Sequence, residues 1–345
     1  PNFDAMARET LRFDPFYAAA PECSPTRGSN LTGRHPNRYG CFRWGHPLRP
    51  QEVTLAEALK TVGYVTGHFG KWHLGSVERG SPVNPGSSGF DEWLSAPNFF
   101  DNDPILSREG TAVQTTGESS VVTAEAAIEF IRRQAESSRP FLAVVWFGSP
   151  HLPHRAIESD RLPYSGQEEA LRHFYGEITG MDRAFGMLRQ EISDLGIREN
   201  TILWYSSDNG GLPEIGRTGG RGHKGQIYEG GLRIPSMLEW PARISRGRAT
   251  AVPAVTSDMY PTLLEVAGVA TQHQPPLDGL SLVPLIDGEM RERPDPIGFW
   301  QYPEDGILVP SAEWMANLLE AQNTDPGAVP DSSRLHYDAG NLSLQ

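Results

Sequence analysis

Apolar runs and helix-spaced apolar residues alternate along most of the chain. A continuous apolar run, typical of a strand buried on both faces of a sheet, covers residues 140–147, and two further strand-like segments cover residues 63–70 and 201–205. Helical spacing of apolar residues covers residues 55–62, 123–135, 171–192 and 257–268. Strands that alternate with helices in this way predict an α/β fold, with a mostly parallel central sheet and helices on both faces.

The two ends of the sequence differ from this pattern. The opening residues, PNFDAMARETLRF, already have the pattern of a helix and contain no initiating methionine, so we expect the sequence to be a fragment. After residue 288 the periodicity fades. The sequence therefore predicts a catalytic α/β domain over 1–288 and the beginning of a small α+β subdomain over 289–345.

Charge and hydropathy exclude several kinds of partner. The 345 residues carry a net charge of −13, which argues against nucleic acid and against an acidic membrane surface. No apolar run approaches the roughly 20 residues of a membrane-spanning helix. The two cysteines are too few for a disulfide framework, so they do not indicate a redox compartment.

Chemically versatile residues follow the predicted strands. Lys71 and His73 come after the first strand, and they face the same side if the chain stays extended there. His151 follows the second strand, and Asp208 and Asn209 follow the third. Ligands of open α/β sheets bind beyond the carboxyl ends of the strands, so these positions are expected to form one rim.

Each of these signals has an ordinary structural explanation when it is taken alone. Cys23 fits a small buried apolar residue, the lysine and histidines fit solvated loops, and Ser-Asp-Asn-Gly is a common turn. Together they indicate more. The cationic donors expected at the rim of this acidic chain are Arg27, Lys71, His73, His151 and Lys224. Such donors suit a small anionic group, and the oxygens of Asp208 and Asn209 suit Ca²⁺ or Mg²⁺.

Two motifs carry a specific resemblance. Cys23-Ser24-Pro25-Thr26-Arg27, followed by LTGR, and the segment GYVTGHFGKWHLG resemble the two signatures of type I, formylglycine-dependent sulfatases of the alkaline-phosphatase-like superfamily. SPHLP, SDNGG, GHKGQIYEGGLRIP and LDGLSLVPL resemble further motifs of that family, in the family's order. The resemblance covers the chain from Pro1 to about Trp300.

The resemblance implies a role for each candidate residue. Cys23 would be oxidised to Cα-formylglycine by a formylglycine-generating enzyme, and one hydroxyl of the aldehyde hydrate would attack sulfur while the other later expels sulfate. By motif, Asp208, Asn209 and the Cys23-derived oxygen would bind Ca²⁺, or Mg²⁺. Arg27 would hold the hydrate, and Lys71 and Lys224 would bind sulfate oxygens. His151 would act as general acid, and His73 would accept the proton of the second hydroxyl.

The sequence also departs from the family. The strand that ends in two aspartate metal ligands has no counterpart before Asn2, so we expect the metal site of residues 1–345 to be incomplete. Most of the family's C-terminal subdomain is also not recognisable. The resemblance to this family also implies a secreted, periplasmic or lysosome-like location for the protein.

Three functions therefore stay open. The first is a sulfuric ester hydrolase for aryl or carbohydrate sulfates. The second is a phosphonate or phosphate ester hydrolase of the same superfamily, and the third is a non-catalytic sugar-binding homologue. Arg217, Arg221 and His223 favour a sulfated carbohydrate over a simple aryl ester, because they are polar or cationic and adjoin Lys224 in sequence.

Overall fold

The computed structural model describes residues 1–216, 219–270 and 274–329. The chain forms two compact units. Unit 1 consists of Pro1–Trp44, Gln51–Val62 and Ile192–Gly306, and unit 2 consists of Gly45–Pro50, Gly63–Glu191 and the described residues from Ile307.

Helices and strands alternate through both units. The helices are α1 Asn2–Glu9, α2 Cys23–Thr32, α3 Pro36–Tyr39, α4 Leu55–Lys60, α5 Ser119–Ser137, α6 Glu158–Arg161, α7 Glu169–Asp194, α8 Glu229–Leu232, α9 Met259–Ala267, α10 Val283–Ile286 and α11 Ser311–Thr324. The strands are β1 Leu11–Tyr17, β2 Val65–Lys71, β3 Glu92–Ala96, β4 Ile105–Arg108, β5 Thr111–Gln114, β6 Phe141–Trp146, β7 Leu203–Ser206, β8 Arg233–Glu239, β9 Arg248–Thr250 and β10 Ala254–Val255.

The sheet of unit 1 has five strands in the order β10-β1-β8-β7, with β9 also paired to β1. β1 pairs in parallel with β9 and β10, whereas β8 runs antiparallel to both β1 and β7. Apolar residues of β1 and β8 pack with those of α9 and α10 into one core, whose fully buried members include Leu11, Phe16 and Leu238. This core fixes the sheet from which β7 leads to Asp208.

The sheet of unit 2 has five strands in the order β5-β4-β3-β2-β6. β2 pairs in parallel with β3 and β6, and β4 is antiparallel to its two neighbours. The helix α5 contacts β2 and β6, and its Phe130 packs against Phe69 with ring centroids 5.6 Å apart. The carboxyl ends of β2 and β6 therefore lie at the same edge of this sheet, as the sequence predicted for parallel neighbours.

The predicted α/β class is confirmed, but both sheets are mixed rather than mostly parallel, with β8 and β4 each antiparallel to their two neighbours. Most predicted elements are present with shifted ends. Thr54 caps α4 in a capping box with Glu57, and Gly268 ends α9 in the left-handed region at φ 70°. α5 begins at Ser119, four residues before the predicted start, because the Glu118 carboxylate accepts the amides of Ser120 and Val121. The opening helical pattern ends at Glu9, and β1 follows it.

One geometric argument from the sequence is wrong. Lys71 is the last residue of β2, but His73 has φ 55°, so the chain is not extended at that point. Strand alternation therefore cannot place the two side chains on one face. The domain boundary near residue 288 stays a prediction, since residues 330–345 lie outside the described part of the chain.

Candidate active site

Cys23 is the first residue of α2. Glu22 precedes it with extended backbone, φ −143° and ψ 155°, and the helix ends at Gly33. The Thr26 hydroxyl donates a hydrogen bond of 2.6 Å to the Ala20 carbonyl, which holds the chain before Cys23 against the first helical turn. The Cys23 side chain is 2% exposed, and neither cysteine forms a disulfide.

A buried tyrosine packs against α2. The buried Tyr39 hydroxyl donates to the Pro25 carbonyl and lies 3.0 Å from the Ser29 hydroxyl. Its ring lies directly over Gly28, where an added Cβ would be 2.7 Å from the nearest ring carbon. Because a real Cβ cannot approach a ring so closely, glycine is required at this position.

Gly28→Ala should therefore destabilise the protein, although alanine favours a helix. Overpacking of this kind costs about 1–3 kcal/mol, more than the gain of at most about 1 kcal/mol in helix propensity. The denaturant midpoint of unfolding measures the change. Gly166→Ala is the matched control, because no atom lies within 4 Å of a Cβ built there. An equal effect of the two substitutions would contradict the packing argument.

Arg27 and Asp208 form an ion pair next to Cys23. The Asp208 Oδ2 accepts from Arg27 Nε at 3.1 Å and from Arg27 Nη2 at 2.8 Å. Arg27 is buried, with 7% exposure, and Asp208 follows β7 after one intervening residue. The pair joins α2 to the end of β7, so the cysteine motif and the Ser-Asp-Asn-Gly motif meet in unit 1.

Lys224 belongs to the same group. Its amide donates to the Gly211 carbonyl at 2.8 Å, and the Gly225 amide donates to the Pro21 carbonyl at 2.9 Å. Burial alone would lower the pKa of Lys224, but the negative charges of Cys23 and Asp208 and a hydrogen bond with the Cys23 side chain raise it overall. Lys224 is therefore a cation directed at the side chain of Cys23.

Glu22 is a site neighbour that the sequence analysis did not single out. Its carboxylate accepts the Trp44 amide at 2.9 Å and pairs with Arg43 at 3.0 Å. Burial raises its pKa, against the opposing effects of the Trp44 amide and Arg43. The signal in the sequence that could have identified Glu22 is its position directly before the signature cysteine.

Asn209 offers an oxygen for a cation. Its Nδ2 donates to the Gly210 carbonyl at 2.9 Å, while its buried Oδ1 accepts no hydrogen bond. A buried amide oxygen without a donor is costly, and a bound cation would compensate it. Within the described residues, no group of three or more His, Cys, Asp or Glu side chains is placed to hold a metal ion. Asp208 and Asn209 therefore fit part of a ligand set for Ca²⁺ or Mg²⁺.

Unit 2 carries the other candidate residues. Lys71 ends β2 opposite Ala96 of β3, and Gly70 pairs with Trp146 at the end of β6. Lys71 is 2% exposed and His73 is 3% exposed, so neither is the solvated loop residue that one reading of the sequence allowed. His151 follows β6 at the same edge of the sheet.

The His151 ring has a defined orientation. It stacks on Phe99 with centroids 4.2 Å apart and planes inclined by 13°. Its Nδ1 lies 2.8 Å from the Leu152 carbonyl oxygen. Because a carbonyl oxygen only accepts, Nδ1 carries a proton, and Nε2 is the nitrogen that gains or loses one.

The loop around Lys224 also carries residues expected to contact the leaving group. The Arg221 guanidinium lies over the Tyr228 ring, 4.1 Å from its centroid. The His223 Nδ1 lies 2.8 Å from the Lys224 carbonyl oxygen, to which it therefore donates. Arg217 lies outside the described residues.

No helix in the described ranges has the length and apolar character needed to cross a membrane.

Comparison with known proteins adds to this geometry. The family model described as Sulfatase matches residues 1–269. N-acetylgalactosamine-6-sulfatase of Canis lupus familiaris is 32% identical over 340 residues, which cover 85% of this chain and 62% of that protein. The ulvan-active sulfatase of Formosa agariphila is 30% identical over 327 residues, which cover 86% of this chain and 61% of that protein. The chain thus spans about three fifths of the length of these curated relatives.

The fold has a solved counterpart as well. The crystal structure of Ps i-CgsB in complex with k-i-k-neocarrahexaose superposes with a TM-score of 0.78. The match covers 84% of this chain and 71% of that chain, at 24% identity. At this identity the match shows the fold, and it agrees with the α/β class predicted from the sequence.

Proposed function

The chain belongs to the sulfatase family, and from this premise we propose that the protein hydrolyses sulfate monoesters. One observation carries the proposal. In unit 1, Cys23 begins α2 with the cation of Lys224 directed at its side chain and the Arg27–Asp208 pair beside it. The C-x-P-T-R signature thus lies among the charged groups that an anionic substrate and a polar nucleophile require.

We propose that a formylglycine-generating enzyme converts Cys23 to Cα-formylglycine. The position fits this group, because a cation already hydrogen-bonds the Cys23 side chain and would equally bind a hydroxyl in the same place. When present, the hydrated aldehyde supplies one hydroxyl for attack on sulfur and a second hydroxyl for expulsion of sulfate. Because Cys23 is buried, bulk water is excluded from the parts of this residue other than the two hydroxyls.

The residues around Cys23 orient and stabilise charge. Lys224 would bind sulfate oxygens and stabilise the charge that develops on them. Arg27 would hold the Cys23-derived hydroxyls, with Asp208 fixing its guanidinium through two hydrogen bonds to one oxygen. Because Arg27 is buried and Lys224 is half-buried, their charges act in a medium of lower dielectric constant than water, where they have more effect.

Asp208 and Asn209 would hold the divalent cation together with the Cys23-derived oxygen. The Asn209 Oδ1 without a hydrogen bond is the observation that supports this assignment. A cation bound there would polarise the sulfuryl oxygens and lower the pKa of the attacking hydroxyl. Ca²⁺ is the proposed ion, with Mg²⁺ as the alternative, because both prefer oxygen ligands.

We further propose roles for the three candidate residues of unit 2. Lys71 would bind sulfate oxygens, and His73 would accept the proton of the second hydroxyl. His151 would protonate the leaving alcohol through Nε2, since its Nδ1 proton is directed at the Leu152 carbonyl. These roles rest on the resemblance of the motifs residue by residue.

We propose a sulfated carbohydrate as the substrate class. Arg221 over Tyr228 and the adjacent His223 present a cation, an aromatic face and a polar ring on one loop with Lys224. Such groups suit a polar, hydroxylated leaving group. The canine relative is named an N-acetylgalactosamine-6-sulfatase and that of Formosa agariphila an ulvan-active sulfatase, which supports a carbohydrate.

A substrate panel tests the proposed function. The full-length protein, produced together with a formylglycine-generating enzyme and supplied with Ca²⁺, would be assayed on nitrophenyl sulfate, sulfated N-acetylgalactosamine and nitrophenyl phosphate. We expect hydrolysis of the sulfates. Faster hydrolysis of the phosphate would favour the phosphoesterase alternative. Binding of the sugar without any hydrolysis would favour a non-catalytic sugar-binding protein.

His151→Ala should slow hydrolysis according to the leaving group. Loss of a general acid reduces kcat by factors of roughly 10² or more when the leaving alcohol is a poor one. An activated aryl leaves without protonation, so its sulfate should be affected much less. The measurement is kcat on sulfated N-acetylgalactosamine against kcat on nitrophenyl sulfate. Equal losses on the two substrates would assign the acid role to another residue.

A further inference from the structure

A buried carboxylate on α7 binds both ends of the loop that carries His151. Glu177 is 6% exposed. Its Oε2 accepts the His151 amide at 3.2 Å, and its Oε1 accepts the Arg155 amide at 2.6 Å. A single side chain thus satisfies two backbone donors that are four residues apart, and the loop between them cannot move away from α7 without leaving both unpaired.

A second residue of α7 continues this contact. His173 precedes Glu177 by one helical turn, so the two side chains lie on the same face of the helix. The His173 Nδ1 accepts the Ala156 amide at 3.1 Å, and its Nε2 lies 3.2 Å from Glu169. The Asn102 side chain also donates to the Arg155 carbonyl at 2.7 Å. The loop is therefore held at several points through its backbone.

These contacts leave the His151 imidazole with few orientations. Its amide is fixed by Glu177, its ring is stacked on Phe99, and its Nδ1 is directed at the Leu152 carbonyl. We propose that Glu177 is a positioning residue, which holds the His151 loop so that Nε2 meets the leaving oxygen. This inference rests on the proposed function, in which His151 is the general acid, and it adds a residue that touches neither substrate nor cation.

The charge state of Glu177 gives the contact a pH dependence. Burial raises the pKa of Glu177 to about 7, against the lowering effect of the Arg155 and His151 amides and with a further increase from neighbouring carboxylates. The charged and titratable groups around it are Asp101, Glu118, His151, Arg155, His173 and Arg183. Above pH 7 both carboxylate oxygens accept the loop amides, whereas a neutral carboxyl keeps one good acceptor.

Stability and loop contact therefore respond to pH in opposite directions. The pKa of Glu177 is raised from an ordinary value of 4.5 to about 7, so the folded protein holds this proton more tightly than the unfolded chain. Its contribution to folding stability is complete below pH 4.5 and is lost as the pH rises through 7. The loop, in contrast, is bound most firmly above pH 7.

Glu177→Gln tests the proposal, since glutamine keeps the size of the side chain but offers one acceptor and one donor. We expect a roughly tenfold or larger decrease of kcat on sulfated N-acetylgalactosamine, because the substitution misplaces the general acid His151. On nitrophenyl sulfate, whose leaving group needs no protonation, we expect little change. The decrease should grow between pH 5 and pH 8. Over the same pH interval, the free energy of unfolding of Glu177→Gln should rise relative to that of the unsubstituted protein.

Two further measurements separate positioning from a purely structural role. In a His151→Ala background, Glu177→Gln should have no additional effect on kcat, since its action passes through His151. Hydrogen exchange of the His151 and Arg155 amides should accelerate in Glu177→Gln and not in Glu191→Gln. Glu191 is the matched control, because it lies on the same helix and pairs with Arg132 at 2.7 Å on the surface.

The results of these experiments distinguish failure of the positioning role from failure of the proposed function. Equal losses of kcat on both substrates, effects that add to those of His151→Ala, or unchanged amide exchange would each overturn the positioning role. A protein that hydrolyses no sulfate ester would instead overturn the proposed function. The exchange experiment then decides by itself whether Glu177 holds the loop.

Discussion

Cys23→Ala should abolish sulfate ester hydrolysis while the protein keeps its fold. The substitution removes the thiol whose oxidative loss would turn the Cβ of residue 23 into the aldehyde, so no nucleophile can form. The fold should persist because α2 is held by the Tyr39 hydroxyl on Pro25 and by the Thr26 hydroxyl on Ala20, not by the sulfur. Hydrolysis of nitrophenyl sulfate and the thermal unfolding midpoint measure the two expectations.

The chemical state of residue 23 provides the control. In an active preparation, mass spectrometry of a peptide that contains Cys23 should show the loss of sulfur and the gain of an aldehyde. Cys23→Ser keeps one hydroxyl but no geminal partner, so it should not sustain turnover. An intact thiol in an active preparation, or repeated turnover by Cys23→Ser, would refute the formylglycine mechanism.

Lys224→Ala should lower kcat on sulfate esters by a factor of roughly 10² or more. Removal of one preorganised electrostatic group from a buried site has an effect of this size. Asp208 raises the pKa of Lys224 against the lowering effect of burial, and it remains in the mature protein, where the Cys23 thiolate is absent. The loss should therefore be the same from pH 6 to pH 8. Steady-state kinetics over that range measure it.

Two other substitutions calibrate this effect. Lys60→Ala removes a lysine from the exposed side of α4 and should leave kcat unchanged. Lys224→Arg keeps the charge and should retain part of the activity. If Lys224→Ala behaved like Lys60→Ala, the proposed contact between Lys224 and sulfate would be wrong.

Local signals in the sequence were sufficient for part of the fold. The Thr54 capping box, the long apolar stripe of α7 and the left-handed cap at Gly268 depend on residues within a few positions of each other. Motif resemblance then identified Cys23 and Lys224, whose proximity in unit 1 the structure describes. Short-range patterns and motifs thus account for the elements and residues that were predicted.

Long-range pairing accounts for most of what was missed. β8 is stabilised between β1 and β7, and its pairing with β1 joins residues more than 200 positions apart, such as Leu11 and Leu238. Glu177 was missed for a related reason. A glutamate on a helix is ordinarily solvated, and its burial here depends on two loop amides, those of His151 and Arg155, that no periodic pattern indicates.

The loop that carries Lys224 is packed backbone against backbone. A Cβ on Gly210 would lie 2.0 Å from the Gly230 carbonyl oxygen, and one on Gly230 would lie 2.1 Å from the Gly222 carbonyl oxygen. Main-chain contacts therefore set the path of this loop. The exposed side chains of the loop, such as Arg221, can vary in evolution or in a mutant library without moving Lys224. The proposed preference for a sugar could therefore change by exchange of a few loop side chains while Lys224 stays in place.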